Sequence, residues 1–145
     1  MAKIPVTLII EEYKVRVREV MSFKMTITQA TDEEGQVTTL PRGGKITMKL
    51  KALNLGVTDM VRWAADKKKT VTGTILFENT ATGIVMKSIQ FINAYCVGYT
   101  ECWDDTASNT ALAHTEEITI SAQEIKIDNL ELLKNNWELI DPKYE

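Results

Sequence analysis

Apolar and polar residues alternate along most of this chain, and a period of two is the signature of strands. Ile4, Val6, Leu8 and Ile10 alternate, Glu11 and Glu12 interrupt, and Tyr13, Val15 and Val17 resume, which predicts a hairpin. After a short break at Glu19 and Val20, Met21, Phe23, Met25 and Ile27 share one face, with Ser22, Lys24, Thr26 and Thr28 opposite. Ile46, Met48, Leu50 and Ala52 alternate with Lys45, Thr47, Lys49 and Lys51, a further strand whose polar face is basic. Residues 71–78 and 85–103 flank the turn-rich NTATG and predict a second hairpin. In the last predicted strand Ile118 and Ile120 hold even positions but Ile125 and Ile127 odd ones, so the inward face switches near residues 122–124, as at a β-bulge.

Residues 87–103, KSIQFINAYCVGYTECW, depart from this pattern because they are apolar on both faces. Ile89, Phe91, Tyr95, Val97, Tyr99 and Trp103 fall on one face, and Ile92, Ala94, Cys96, Gly98 and Cys102 on the other. A strand without a solvent face requires a second covering layer, from the same chain or from another subunit. That points toward assembly rather than catalysis.

Between the strands, Thr58 or Asp59 is placed to cap one short helix through Lys68, with Met60, Trp63 and Ala64 at helical spacing. Lys67, Lys68 and Lys69 then lie near the negative end of its dipole. Residues 29–44, QATDEEGQVTTLPRGG, carry turn formers and few large apolar residues and read as a long exposed loop. A polar loop spans 104–115, and the tail 128–145, with Leu130, Leu132, Leu133, Trp137 and Ile140 among acids, reads as a docked tail or short helix. No repeat, low-complexity tract or linker divides the chain, so residues 1–145 are expected to form a single domain.

Chemistry is sparse. Cys96 and Cys102 lie six apart on one strand, roughly 20 Å at about 3.3 Å per residue, so they cannot bridge and read as reduced, core-like thiols. His114 is the sole histidine and has no metal-ligand neighbours in sequence; it reads as a loop residue without a role. The adjacent acids Asp104 and Asp105, and Glu116 and Glu117, read as solvated, because neighbours on an extended chain point to opposite faces. PRGGK lacks the spacing of a P-loop. With no nucleophile, base and orienter to nominate, an enzyme is not expected, nor is a cofactor or metal.

Lys14, Arg16, Arg18 and Lys24, with Lys45, Lys49 and Lys51, form a candidate basic stripe that alternates with Thr and Ser rather than with stacking aromatics. That argues against nucleic acid, as does a net charge of −3, and for a solvated or subunit-facing surface. The N-terminus lacks the apolar run and cleavage site of a secretory signal, and no stretch approaches a membrane span. The expectation is folding in the cytoplasm, with any export by a route that reads no cleavable leader and without direct membrane insertion.

Six segments, QATDEEGQ, PRGGKI, the helix with Trp63, GTILF, FINAYCVGYTE and ITISAQEIKI, occur here in the order found in type VI secretion tube proteins. The chain most resembles the TssD or Hcp group of Bacteroidota, over about residues 3–127. The resemblance implies a mainly β fold, a β-barrel-like sandwich of antiparallel strands with one short α-helix, assembling into hexameric rings that stack into a tube. It further implies a contracting sheath that propels the tube, spike and baseplate proteins as partners, effectors in the lumen, and secretion to the extracellular space or a target cell. In the family the extended early loop reaches an adjacent ring. The matching residues here are Gln29, Thr31, Asp32, Gly35, Pro41, Arg42, Gly43 and Gly44. Lys14, Arg16, Arg18, Lys24, Lys45, Thr47 and Lys49 are then candidates for a lumen-lining or subunit-facing polar strand face. Rival readings are the tube protein of another contractile particle or phage-like tail, and a monomeric β-barrel whose Phe91, Tyr95, Tyr99 and Trp103 line a pocket for a small hydrophobic ligand.

Overall fold

Among the described residues the alternating segments form strands, and the strands close on one another. The computed structural model describes residues 5–11, 17–29, 31–37, 42–52, 58–79, 81–104, 106 and 113–134. Its elements are β1 (Val6–Ile10), β2 (Val17–Thr28), β3 (Arg42–Lys51), α1 (Asp59–Ala65), β4 (Val71–Glu78), β5 (Val85–Trp103), β6 (His114–Ile127) and β7 (Leu130–Lys134). All pairings are antiparallel, in the order β3-β2-β1-β4-β5-β6-β7. β3 also pairs with β6, from Lys45 opposite Ser121 to Lys51 opposite Thr115, which closes β1 to β6 into a barrel. One edge of β6 is thereby divided: β3 takes its first half, and β7 takes residues 124–127.

The antiparallel order gives the barrel two different ends. At the helix end lie α1, the end of β5 and the start of β6; at the loop end lie the β2–β3 loop, the β4–β5 turn and the β6–β7 turn. Inside, Leu8, Ile10, Ile46, Met48, Leu50, Ile75, Ile89, Phe91, Ile118, Ile120 and Ile125 are buried. Burying a side chain of this size contributes about 1.5–3 kcal/mol, so the alternating faces supply the main drive for closure. Met60 and Trp63 of α1 join this core. The Trp63 ring stacks on Phe91, centroids 6.4 Å apart, and its indole N–H donates to the Ala94 carbonyl at 3.1 Å. The four aromatics named above do not share one place: Phe91 is in the core, whereas Trp103 is exposed.

The structure corrects several expectations. Within a single chain β5 is not covered on two faces. Its inward positions change phase, from Ile89 and Phe91 to Ala94 and Cys96, while Val97 and Trp103 stand in solvent. The phase changes at Asn93, whose φ is 52°, and a register shift against β6 follows at residues 96–98. β6 changes phase opposite Asn93, from Ala122 to Ile125, and Asn93 Nδ2 donates to Gln123 Oε1 at 2.9 Å. The switch expected near 122–124 is therefore present, but the two strands bend together and their mutual register is the same on either side. In β2 a register shift leaves Met21 as the extra residue, which turns the inward face from Arg18 and Val20 to Phe23, Met25 and Ile27.

Arg42, Gly43 and Gly44 belong to β3 rather than to the loop: Arg42 pairs with Thr28, Gly43 with Ile27, and Gly44 is the extra residue of a bulge. Pro41 lies outside the described residues. α1 ends at Ala65, so Lys67, Lys68 and Lys69 follow the helix, and Thr58 makes no side-chain cap bond. The first part of the expected tail is a strand, β7, reached through Asp128 and Asn129 at φ 49° and 69°. Two left-handed residues give the twist that a two-residue hairpin needs. Residues 135–145 lie outside the described residues.

Gly73 of β4 has no room for a side chain: a Cβ there would stand 2.6 Å from Phe91 Cζ and 2.7 Å from the Ile9 carbonyl oxygen. Gly73→Ala is expected to displace Phe91 and the Trp63 stacked on it, and to lower stability by about 1–3 kcal/mol, read as a reduced urea midpoint.

Candidate functional site

The outward face of β2, β3 and β6 is a continuous polar wall. Cross-strand partners share a face, and the register sets Lys24 opposite Thr47, Thr26 opposite Lys45, and Ser22 opposite Lys49. On the other side of β3, Lys45 faces Ser121, Thr47 faces Thr119, and Lys49 faces Glu117. Lys24, Lys45 and Lys49 are exposed, and the Thr47 and Thr119 hydroxyls lie 3.3 Å apart. Lys24, Lys45, Thr47 and Lys49 are thus brought together as expected. Lys14 and Arg16 fall outside the described residues.

Arg18 does not belong to that wall. The extra residue at Met21 reverses the facing of β2, and Arg18 turns into the barrel, where it is 1% exposed. Its Nη1 donates to Glu116 Oε1 at 2.5 Å and its Nη2 to Asp59 Oδ1 at 2.6 Å. The Tyr99 hydroxyl donates to the second Glu116 oxygen at 2.6 Å, and Asp59 Oδ1 also accepts the Met60 N–H at 2.9 Å. Burial first, and then the hydrogen bond to Glu116, push the Tyr99 hydroxyl well above its usual range, so it remains a donor. Glu116 is accordingly not a solvated acid, whereas its neighbour Glu117 is exposed. One guanidinium, two carboxylates and a phenol tie β2, β5, β6 and the first turn of α1 together at the helix end of the barrel. Charges this deep persist only when paired and hydrogen-bonded, and the fork of Arg meets two separate carboxylates at once.

The β2–β3 loop is organised by Asp32. Its Oδ1 accepts the N–H groups of Glu34 and Gln36 at 2.9 Å, and its carbonyl accepts the Gly35 N–H at 3.0 Å. Gly35 has φ 84°, a conformation that favours glycine, and Thr31 bridges to Val37. Gln29, Thr31, Asp32 and Gly35 are all exposed on this tip.

Other sequence candidates find structural places. His114 opens β6, with Nε2 2.9 Å from Glu101 Oε2 and its ring edge-on to Trp103 at 5.5 Å, so it is a strand residue with partners. Asp104 is exposed, and hydrogen bonds from the Thr106 hydroxyl and N–H hold its carboxyl below the usual range. Cys96 is buried and Cys102 exposed; burial pushes the Cys96 thiol up to about 11. Among the described residues no group of three or more His, Cys, Asp or Glu is placed to hold a metal ion. Among the described residues no helix is long and apolar enough to cross a membrane.

Among the described residues the fold is a closed antiparallel barrel with one short helix, and solved structures share it. The chain has a TM-score of 0.53 and 17% identity to a protein of the PVC extracellular contractile injection system, solved as a sheath–tube complex in the extended state; the match covers 85% of this chain and 87% of that one. Hcp1 from Salmonella typhimurium matches with a TM-score of 0.66 at 12% identity, over 87% of this chain and 86% of that chain. Hcp1 from Flavobacterium johnsoniae matches with a TM-score of 0.75 at 25% identity, over 88% of this chain and 98% of that chain. The model of the hemolysin coregulated protein Hcp (TssD) family matches residues 2–138, and the chain belongs to that family. Among curated protein sequences none matches.

Removing Arg18 takes the guanidinium away from two buried carboxylates. Arg18→Met is expected to cost about 3–5 kcal/mol. Arg18→Lys should restore only part of that, because one ammonium does not reproduce the two-armed fork; thermal unfolding of the three proteins compares them. Cys96 is expected to resist iodoacetamide at pH 8 in dilute folded protein while Cys102 is alkylated, as read by mass spectrometry. Because the folded thiol titrates at about 11 against 9.0 for the free group, its contribution to stability is full below pH 9 and fades as pH rises toward 11. A Cys96→Ala protein should lack that component of the alkaline loss in urea midpoint.

Proposed function

We propose that this chain is the structural subunit of the inner tube of a type VI secretion system, a ring-forming protein that acts mechanically. The observation that carries this reading is the Hcp (TssD) family match across residues 2–138. Six subunits form a ring, rings stack into a hollow rod, and a contracting sheath drives the rod outward. In this reading residues 1–145 act as one tube domain, and the segment 128–145 contributes β7 and the chain beyond it. A heterologous contact that closes by rotation generates a ring, and the same chain stacking by translation generates a tube. Closure of this kind covers sheet edges that a lone subunit leaves open.

The exposed tip with Gln29, Thr31, Asp32 and Gly35 reaches a neighbouring ring, and Arg42, Gly43 and Gly44 set the base of that arm. The wall of Lys24, Lys45, Thr47 and Lys49 faces the lumen or an adjoining subunit. Sheath, spike and baseplate proteins are the partners of the assembled tube, and small effectors are its cargo. The protein folds in the cytoplasm and leaves the cell through the apparatus, without cofactor, catalysis, nucleic-acid binding or membrane insertion. The likeness to the PVC sheath–tube protein favours one second reading, the tube of another contractile particle.

Light scattering of the purified protein should give a mass near six chains, with annular particles in negative stain. A 16.3 kDa monomer at high concentration, with or without its partners, would overturn the tube reading. Asp32→Ala, which removes the acceptor for two loop N–H groups, should leave the ring mass unchanged and weaken stacking; loss of the ring itself would show that the loop serves ring closure instead.

A further inference from the structure

Ile84, Val85 and Met86 are three consecutive large apolar residues standing in water, at 63%, 48% and 54% exposure. They open β5 at the loop end of the barrel, below the point where β6 has turned away: β6 pairing stops at Ile89 opposite Ile127, and Asp128 already bonds back to Ser88. Between the pairs Phe77–Lys87 and Glu78–Val85 the register shifts, so Met86 is the extra residue of a bulge that re-aims the hairpin tip. A run of exposed apolar residues on a projecting hairpin burdens an isolated subunit and marks an interaction surface. Beside it stands exposed Lys87, its ammonium 5.5 Å from the Phe77 ring centroid.

The same strand ends at the opposite, helix end of the barrel in Glu101, Cys102, Trp103 and Asp104, all exposed. Trp103 is 60% exposed and held edge-on by His114. One terminus of β5 thus offers Ile-Val-Met beside a cation, and the other a tryptophan between acids. These surfaces face away from each other within one molecule. They complement each other between molecules, apolar to apolar and Lys to Asp, which is the arrangement of a head-to-tail contact.

We propose that residues 84–87 of one subunit dock on residues 101–104 of a second copy of this chain in the adjoining ring, with Met86 against Trp103 and Lys87 facing Asp104. The inference rests on the tube reading and adds to it a stacking surface separate from the β2–β3 loop. A thioether against an indole and a desolvated Lys–Asp pair would make this contact a centre of stacking rather than its rim.

Native Cys102 supplies the test. Met86→Cys protein, assembled and exposed to a mild oxidant, should form a disulfide between Cys102 of one chain and residue 86 of another, identified by mass spectrometry of the linked peptides. Adding Cys102→Ser should abolish it, and an exposed cysteine on the wall, Thr26→Cys, should not link to Cys102. Independently, Lys87→Glu and Asp104→Lys should each raise the concentration needed for stacking by about tenfold or more, and the double reversal should restore it. Stacked rings in which residue 86 stays reduced, or links only to another residue 86, would overturn this inference and leave the tube reading intact. A protein that forms no ring overturns both.

Discussion

The pairing of β3 with β6 is the contact on which the rest of the barrel depends. Residues 45–51 and 115–121 are far apart in sequence, and only their ladder turns an open sheet into a closed wall. Closure satisfies the backbone groups of both strands and gives Ile46, Met48 and Leu50 a roof of Ile118 and Ile120. It is a non-local pairing, and its entropy cost is met only once the interior side chains of all six strands meet. The same seam builds the outer wall, because it sets Thr47 beside Thr119 and Lys49 beside Glu117.

The ion cluster lies inside the barrel at the helix end of that seam. Glu116 sits on β6 opposite Leu50, inside the closing ladder, and meets Arg18 from β2, 98 residues away. Asp59 brings α1 to the same guanidinium and so fixes where Met60 and Trp63 enter the core. An apolar substitute would fill the space at less desolvation cost, but it would not select one angle for the helix. Directional hydrogen bonds at 2.5–2.6 Å do select it. Beside this cluster the barrel interior holds Trp63, Phe91 and the aliphatic strand residues.

A protein of this design works by shape and by contact. The Hcp family places it among tube subunits, and its two ends differ in the way a stacking unit requires. The loop end carries the Asp32 turn and the apolar start of β5; the helix end carries Trp103 and its acids. Because β5 runs from one end to the other, a single strand connects the two surfaces of the proposed stacking contact. That strand is paired with β4 from Val85 to Ala94 and with β6 from Ile89 to Trp103, so both neighbours hold its middle and one holds each end.

The local alternation of residues determined the number and faces of most strands. Ser22 to Thr28, Ile46 to Leu50 and Ile118 to Ala122 behave as their period of two requires, since a pleat sends successive side chains to opposite faces wherever the chain is extended. The Lys–Thr wall was legible for the same reason. What alternation does not locate is an extra residue, because one insertion inverts the facing of everything before or after it. Arg18 was read as outward for that reason, and β5 as two-faced. β7 carried a local signal, the Asp128–Asn129 pair between apolar residues, which tolerates the left-handed turn found there. The partnership of Arg18 with Asp59 and Glu116 had none. Charges 41 and 98 residues apart become a cluster only when barrel closure brings their strands together, and the cost of burying them unpaired is what makes that arrangement unique.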